Sequence, residues 1–241
     1  MIEYVQAAMK SNIKQLQNRG YAAGEEPDKY RSLNDNEIID LLKSENAVER
    51  TIGAVITGER RIPGSLPLLC ELLKIEKKLY TKIALCEAIE KSGIDSLKYL
   101  LPLAGKIGTN QHKKIDLIDL KKKSYPLPRD IVIRIIIRIG PDALPYLKNI
   151  IETGTAEQKV EIVDAIGHIA FNYNDCRSKN VLLSAYNSSD DELLKWKIIR
   201  AFQAFDSEEI IIILEELMNG DNKIFRDEAE RSLMQIKKRR V

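Results

Sequence analysis

The sequence predicts an all-α chain built as a stack of helical hairpins, an α-solenoid. Three observations carry that expectation. Apolar residues recur at helical spacing almost throughout, and strand-like alternation is scarce. The interruptions carry helix-capping residues rather than hairpin-turn signals. Segments of the chain also repeat one another at a period of about 30 to 36 residues, with one longer interval, and that period is the length of a helical hairpin.

Taken in order, a first helix is expected to run through about Asn18. With the polar turn GYAAGEEPDKY (from Gly20) it forms an N-terminal cap over residues 1–34, ahead of a repeat array over 35–241. Asn34-x-x-Glu37 reads as a capping box in front of IIDLLK, and VERTIGAVITGER (from Val48) is its partner helix. SLPLLCELLK and TKIALCEAIEKSG (from Thr81) make the next pair. SLKYLLPLA opens a third, whose partner PRDIVIRIIIRIG (from Pro128) follows an insertion over about 105–127. Tyr125, Pro126 and Pro128 are expected to stiffen that insertion, with Pro128 in the first turn of the helix. Gly140-Pro141-Asp142 ends the helix and starts ALPYLKNII. Thr155-x-x-Gln158 caps QKVEIVDAIGHIA (from Gln158), and Ser189-x-x-Glu192 stands between NVLLSAY and LKWKIIRAFQAFD (from Leu194). Asp206-x-x-Glu209 precedes IIIILEELM. Asn219-Gly220-Asp221 reads as a C-cap followed at once by an N-cap, before FRDEAERSLMQIK (from Phe225). Lys237 to Arg240 reads as a fraying helix end whose charge suits the dipole.

The second helices align with one another: a first position, a base, then apolar or small residues at common offsets. The basic column is Lys82, Arg129, Lys159, Lys195 and Arg226, with Glu49 standing there in the first copy. Ile162, Ala165, Ile166 and Ile169 mark the core offsets, buried where neighbouring units stack. In these segments the chain resembles the short HEAT repeats of the phycobilisome-lyase-like class, which read roughly V-R-x-x-A-A-x-A-L-G-x-I-G. QKVEIVDAIGHIA is the nearest copy, and the likeness covers about residues 35–240. The tryptophan-leucine-glycine-tyrosine signature of tetratricopeptide repeats is missing. The resemblance implies a right-handed superhelix of about six stacked hairpins. It also implies that the basic column pairs with acids of neighbouring units and that the second helices line a concave face.

Composition narrows the function classes. A net charge of +2 exerts no global pull toward nucleic acid or membrane, and no apolar run reaches the roughly 18 residues of a membrane span. Three cysteines, Cys70, Cys86 and Cys176, lie far apart without a Cys-x-x-Cys pair, and only His112 and His168 could join them, so no metal site is expected. Reduced thiols point to the cytoplasm.

Charge is unevenly placed. Between Gly105 and Gly140 nine bases face three acids, a local +6 on a frame of −4. If the second helices line a concave face, the offsets pointing away from the core stripe bring Arg134, Arg138, Asp164, His168 and Arg200 onto it, with Trp196 and Lys197 one turn before Arg200. These residues, with Lys113, Lys114, Lys121, Lys122, Lys123 and Arg129 of the insertion, are the candidate partner-binding set. The alternative is an internal network in which Arg134 and Arg200 bridge to Asp164.

No glycine-rich phosphate loop, G-x-S-x-G elbow or H-E-x-x-H helix is present, and neither a catalytic residue nor a cofactor is expected. The expected function is a non-catalytic scaffold that grips a protein or peptide, an acidic segment above all, in a basic groove. Nucleic-acid binding is the alternative. Asp164, Trp196 and Arg200 faintly resemble the concave aspartate and aromatic residues of HEAT-like DNA glycosylases, although one tryptophan leaves the aromatic cluster unfilled. A bilin lyase role, implied by the repeat's namesake class, is the remotest.

Overall fold

The computed structural model describes residues 12–24, 26–115 and 124–240. Lys121, Lys122 and Lys123 lie outside the described residues, as does most of the expected first helix. Among the described residues there are helices and turns and no strand. The α-helices are α1 (Ile13–Gln17), α2 (Asp35–Leu41), α3 (Ala47–Arg60), α4 (Leu66–Ile75), α5 (Leu79–Glu90), α6 (Leu97–Leu100), α7 (Ile131–Ile139), α8 (Leu144–Thr153), α9 (Ala156–Tyr173), α10 (Lys179–Ser188), α11 (Glu192–Phe202), α12 (Glu208–Met218) and α13 (Lys223–Arg239). None of them is long and apolar enough to cross a membrane. The chain divides into two compact units, Met1–Tyr99 and Leu100–Val241.

In the first unit α3 packs against α2 and α5, and α4 packs against α5. Ile38, Ile52, Ile56 and Ile62 form the core beneath Tyr30 and Leu33. The two long helices approach closely because α3 carries Gly58: a Cβ there would lie 2.6 Å from the Cα of Ala88. A buried hydroxyl pair, Thr51 and Thr81 at 2.9 Å, joins the same two helices.

In the second unit α7, α9, α11 and α13 pack one against the next. On their other side α8 packs on α9, α10 on both α8 and α11, and α12 on α13. Ile162, Ala165, Ile166 and Ile169 are fully buried, as their offsets require.

Capping fixes where the helices begin, and it revises several expectations. Asn34 with Glu37, and Thr155 with Gln158, form complete capping boxes. Ahead of α11, however, the N-cap is Asp191, whose Oδ1 accepts from the amides of Leu193 and Leu194. Ser189 instead accepts from the Asp191 amide. Asp206 does not cap α12, which starts after Ser207; its carboxylate takes Arg240 at 2.5 Å and 2.9 Å. Asn222 rather than Asp221 caps α13. Nor does Pro128 open α7: Asp130 is its N-cap, bonded to the amides of Val132 (2.7 Å) and Ile133 (3.0 Å). The basic C-terminus is tied down rather than fraying. Arg239 donates to the carbonyls of Gln203 and Ala204 and lies over the Phe171 ring at 4.7 Å.

These caps also shift the repeat register. Counted from the helix starts, the fourth residue is a base in α3, α5, α7, α9, α11 and α13: Arg50, Lys82, Arg134, Lys159, Lys195 and Arg226. Glu49 is the third residue of α3, and Arg129 precedes the N-cap of α7, so neither belongs to the column. Several of these bases turn back onto the loop that enters their helix. Arg50 donates to the carbonyls of Ser44 and Glu45, Arg226 to those of Gly220 and Asp221, and Arg134 to that of Pro128. Arg50 also pairs with Glu76 at 2.8 Å. A fourth-position cation therefore seals the helix entry as well as, for Arg50, meeting an acid.

Candidate functional site

The structure divides the candidate set in two. Arg134 and Arg138 are exposed on one face of α7, and Lys113 and Lys114 are exposed on the insertion. Arg129 is partly exposed and His168 half-buried. Asp164, Trp196, Lys197 and Arg200 are interior, with Trp196 and Lys197 at 0% and Arg200 at 1% exposure. An open groove at these four positions is thus corrected to a buried polar cluster. Asp164 and Trp196 are correspondingly withdrawn from any flipped base a glycosylase would need to reach.

The cluster is built from the facing sides of α9, α11 and α13. Lys197 Nζ lies 3.0 Å from Glu161 Oε1 and 2.8 Å from Asp164 Oδ2. One turn on, the Arg200 guanidinium stacks on the Trp196 indole, 3.9 Å from its centroid, and reaches Glu228 at 3.8 Å. Arg231 grips Glu228 through Nη2 at 2.6 Å and Nε at 2.7 Å, and approaches Gln203. The internal network foreseen as an alternative exists in a buried form that holds Asp164 and Arg200 and gains Lys197, which bridges to Asp164. Arg134 turns to a loop carbonyl instead.

Desolvation dominates the electrostatics. One lysine serves two carboxylates, so burial outweighs its attraction and pushes the Glu161 carboxyl up to about 7. Burial likewise raises Glu228 against the opposing pull of Arg200 and Arg231. It lowers His168 in spite of the nearby Asp164.

A folded pKa above the unfolded value means that Glu161 holds its proton more tightly in the native state. Its contribution to stability is complete below about 4.5 and is lost as pH rises through about 7. Between those limits the native protein should lose roughly 3 kcal/mol through this residue. Urea melts from pH 5 to 8 should show a steeper decline for the natural protein than for Glu161→Gln. Parallel curves would mean that Glu161 is ionised throughout.

The insertion covers this cluster. His112 packs edge-on against Trp196 at 5.5 Å. Tyr125 packs against His168 and Phe171 at 5.9 and 5.5 Å and seats its ring over Gly167 of α9. The Tyr125 hydroxyl is buried with no hydrogen-bond partner, and burial raises its pKa. Tyr125→Phe should therefore leave stability unchanged or raise it by about 1 kcal/mol in chemical denaturation. A loss would reveal a partner for the hydroxyl.

Asp130 pins the start of the insertion as well as capping α7. Its Oδ2 accepts from the Gly105 amide at 3.1 Å and from Gln111 Nε2 at 2.9 Å. Between that wall and the starts of α9 and α11 lies a cavity of about 320 Å³, lined among others by Gln111, His112, Lys113, Glu157, Val160 and Glu161.

Sequence reasoning passed over Glu161 and Glu228, and it placed Tyr125 and His112 only in the insertion. A signal for the first pair was available. Glu161, Lys197 and Glu228 share the fourth motif offset in QKVE, LKWK and FRDE, and Asp164, Arg200 and Arg231 share the seventh. At the fourth offset the charges alternate in sign from repeat to repeat, and at the seventh an acid is followed by two bases, a pattern that marks a ladder between neighbouring helices.

No protein-family model matches the chain, no curated protein is recognisably similar to it, and no solved structure matches it.

Proposed function

We propose that this chain is a HEAT-like α-solenoid acting as an interaction scaffold, which binds an acidic segment of a partner protein through the basic surface of residues 105–140. The solenoid reading is supported by the ordered packing of α7, α9, α11 and α13 and by the shared fourth-position base. One observation carries the binding reading. Asp130, the only acid described between 105 and 140, is buried as an N-cap, whereas Lys106, Lys113, Lys114, Arg134 and Arg138 all remain on the surface. Asp130 is taken up by the fold while these five bases stay exposed, which supports reading the surface as one that offers positive charge to an acidic partner. The three cysteines are free, which supports a reducing, cytoplasmic setting.

The test is an affinity pull-down with the natural protein and with Arg134→Glu plus Arg138→Glu. Arg134 also closes the entry of α7 through the Pro128 carbonyl, so melting is followed alongside and capture is compared where both proteins are folded; there, capture of an acidic partner should fall by about tenfold or more. Undiminished capture would sink the reading. So would submicromolar, steeply salt-dependent binding of nucleic acid lost in the same variant.

A further inference from the structure

The cavity beneath the insertion has a composition unlike the exposed surface around it. Its polar walls carry Glu157, Glu161 and Asp191 against Lys113, and its apolar walls include Val160, Ala156 and Leu193. Two of the three acids have local duties. Asp191 caps α11, and Glu157 hydrogen-bonds with Thr155 at the start of α9. Glu161 is different. It is 1% exposed, its Oε1 takes Lys197, and its Oε2, in a residue that lines the cavity, has no partner. A buried carboxylate oxygen left without a donor is costly, and a bound donor would offset that cost.

From this geometry we propose that the cavity is a binding site for a small organic cation, an alkylammonium or alkylguanidinium, whose N–H groups donate to Glu161 Oε2 while its alkyl stem lies against Val160 and Leu193. The charge of the walls selects a cation over an anion. The spacing selects an organic one. Among the described residues no three His, Cys, Asp or Glu side chains converge as a metal requires, and a space of about 320 Å³ exceeds a single ion. The wall that closes the site is preorganised, since Gln111 is held by both the Ile107 carbonyl and Asp130. This site adjoins the basic surface, sharing Lys113 with it, and does not depend on the scaffold reading. The same chemistry could arrive as a free amine or as a lysine or arginine side chain of another protein.

Isothermal titration of the full chain with butylamine and with butylguanidine tests the proposal, with 1-butanol and magnesium chloride as controls. Saturable binding of the two cations, absent for both controls, is the expected result. Glu161→Gln should weaken it by about tenfold or more. Should that variant melt before it can be titrated, Ala156→Phe narrows the cavity from its exposed rim without touching Glu161, and it should abolish binding while preserving the fold. N-acetyl-lysine amide and N-acetyl-arginine amide distinguish the sources: binding comparable to that of butylamine points to a partner's side chain, and exclusion points to a free amine. No saturable binding of either cation, equal binding of 1-butanol, or full binding in both variants overturns the proposal.

Discussion

Lys197→Met is expected to destabilise the protein by about 3–5 kcal/mol at pH 7.5, because it strands two buried carboxylates without their cation. Methionine matches the length of the lysine stem, so packing is preserved and the loss reports the charge alone. The ammonium sits between Glu161 and Asp164 at 3.0 and 2.8 Å, on a side chain with no exposed surface. Glu161 is already held up at about 7 by burial. Without Lys197 it rises further, and the variant should take up a proton on folding. Its deficit should therefore shrink as pH falls from 7.5 toward 5, the direction in which a raised carboxyl is neutralised. Guanidinium denaturation at the two pH values measures both effects. A deficit below about 1 kcal/mol, or one that grows on acidification, would mean that water rather than Lys197 compensates the carboxylates.

Gly167→Ala is the second large effect, and it acts through shape. A Cβ at Gly167 would overlap the Tyr125 hydroxyl and stand 2.7 Å from the Tyr125 Cζ and 2.9 Å from the Ala201 Cβ. The tyrosine must leave its seat on α9, and the apposition of α9 to α11 must loosen. Expelling a buried aromatic costs about 3–5 kcal/mol, and alanine returns about 1 through helix propensity, so a net loss of about 2–4 kcal/mol is expected. Trp196, the single tryptophan, is buried beside His112 of the insertion, and its fluorescence should shift to the red as this cover loosens. A double-mutant cycle with Tyr125→Ala separates the two clashes, since the further loss from Gly167→Ala should then fall to that of the Ala201 contact. Additive losses would show that Tyr125 does not rest on Gly167.

Much of this architecture was legible before any coordinates. The 3.6-residue recurrence of Ile162, Ala165, Ile166 and Ile169 identifies a buried helix face, and those residues are fully buried. The boxes at Asn34 and Thr155 start helices where they were read. Reading failed where two capping residues compete within a few positions. Ser189 and Asp191 offer equivalent oxygens and only Asp191 caps α11, while ahead of α12 the N-cap position falls on Ser207, whose hydroxyl makes no capping bond. Asp206 was unavailable because Arg240, 34 positions away, claims it.

The candidate site divides along the same line. Sequence alone determined that Asp164, His168, Trp196, Lys197 and Arg200 share the faces of neighbouring helices, because helical offsets place side chains without regard to what lies above them. It determined equally that Arg134 and Arg138 share one face of α7. Whether a face is open is a different question, since that depends on what else in the chain comes to lie over it. The insertion places Tyr125 and His112 against α9 and α11, and charges that would otherwise meet water meet one another instead. Only the tertiary structure decides this, because the contacts join residues more than 40 positions apart in a segment that lacks the repeat's periodicity. Burial then sets the chemistry: the same lysine and glutamate would be an ordinary solvated pair on an open face, and in the interior they are a coupled pair whose proton is held to about 7.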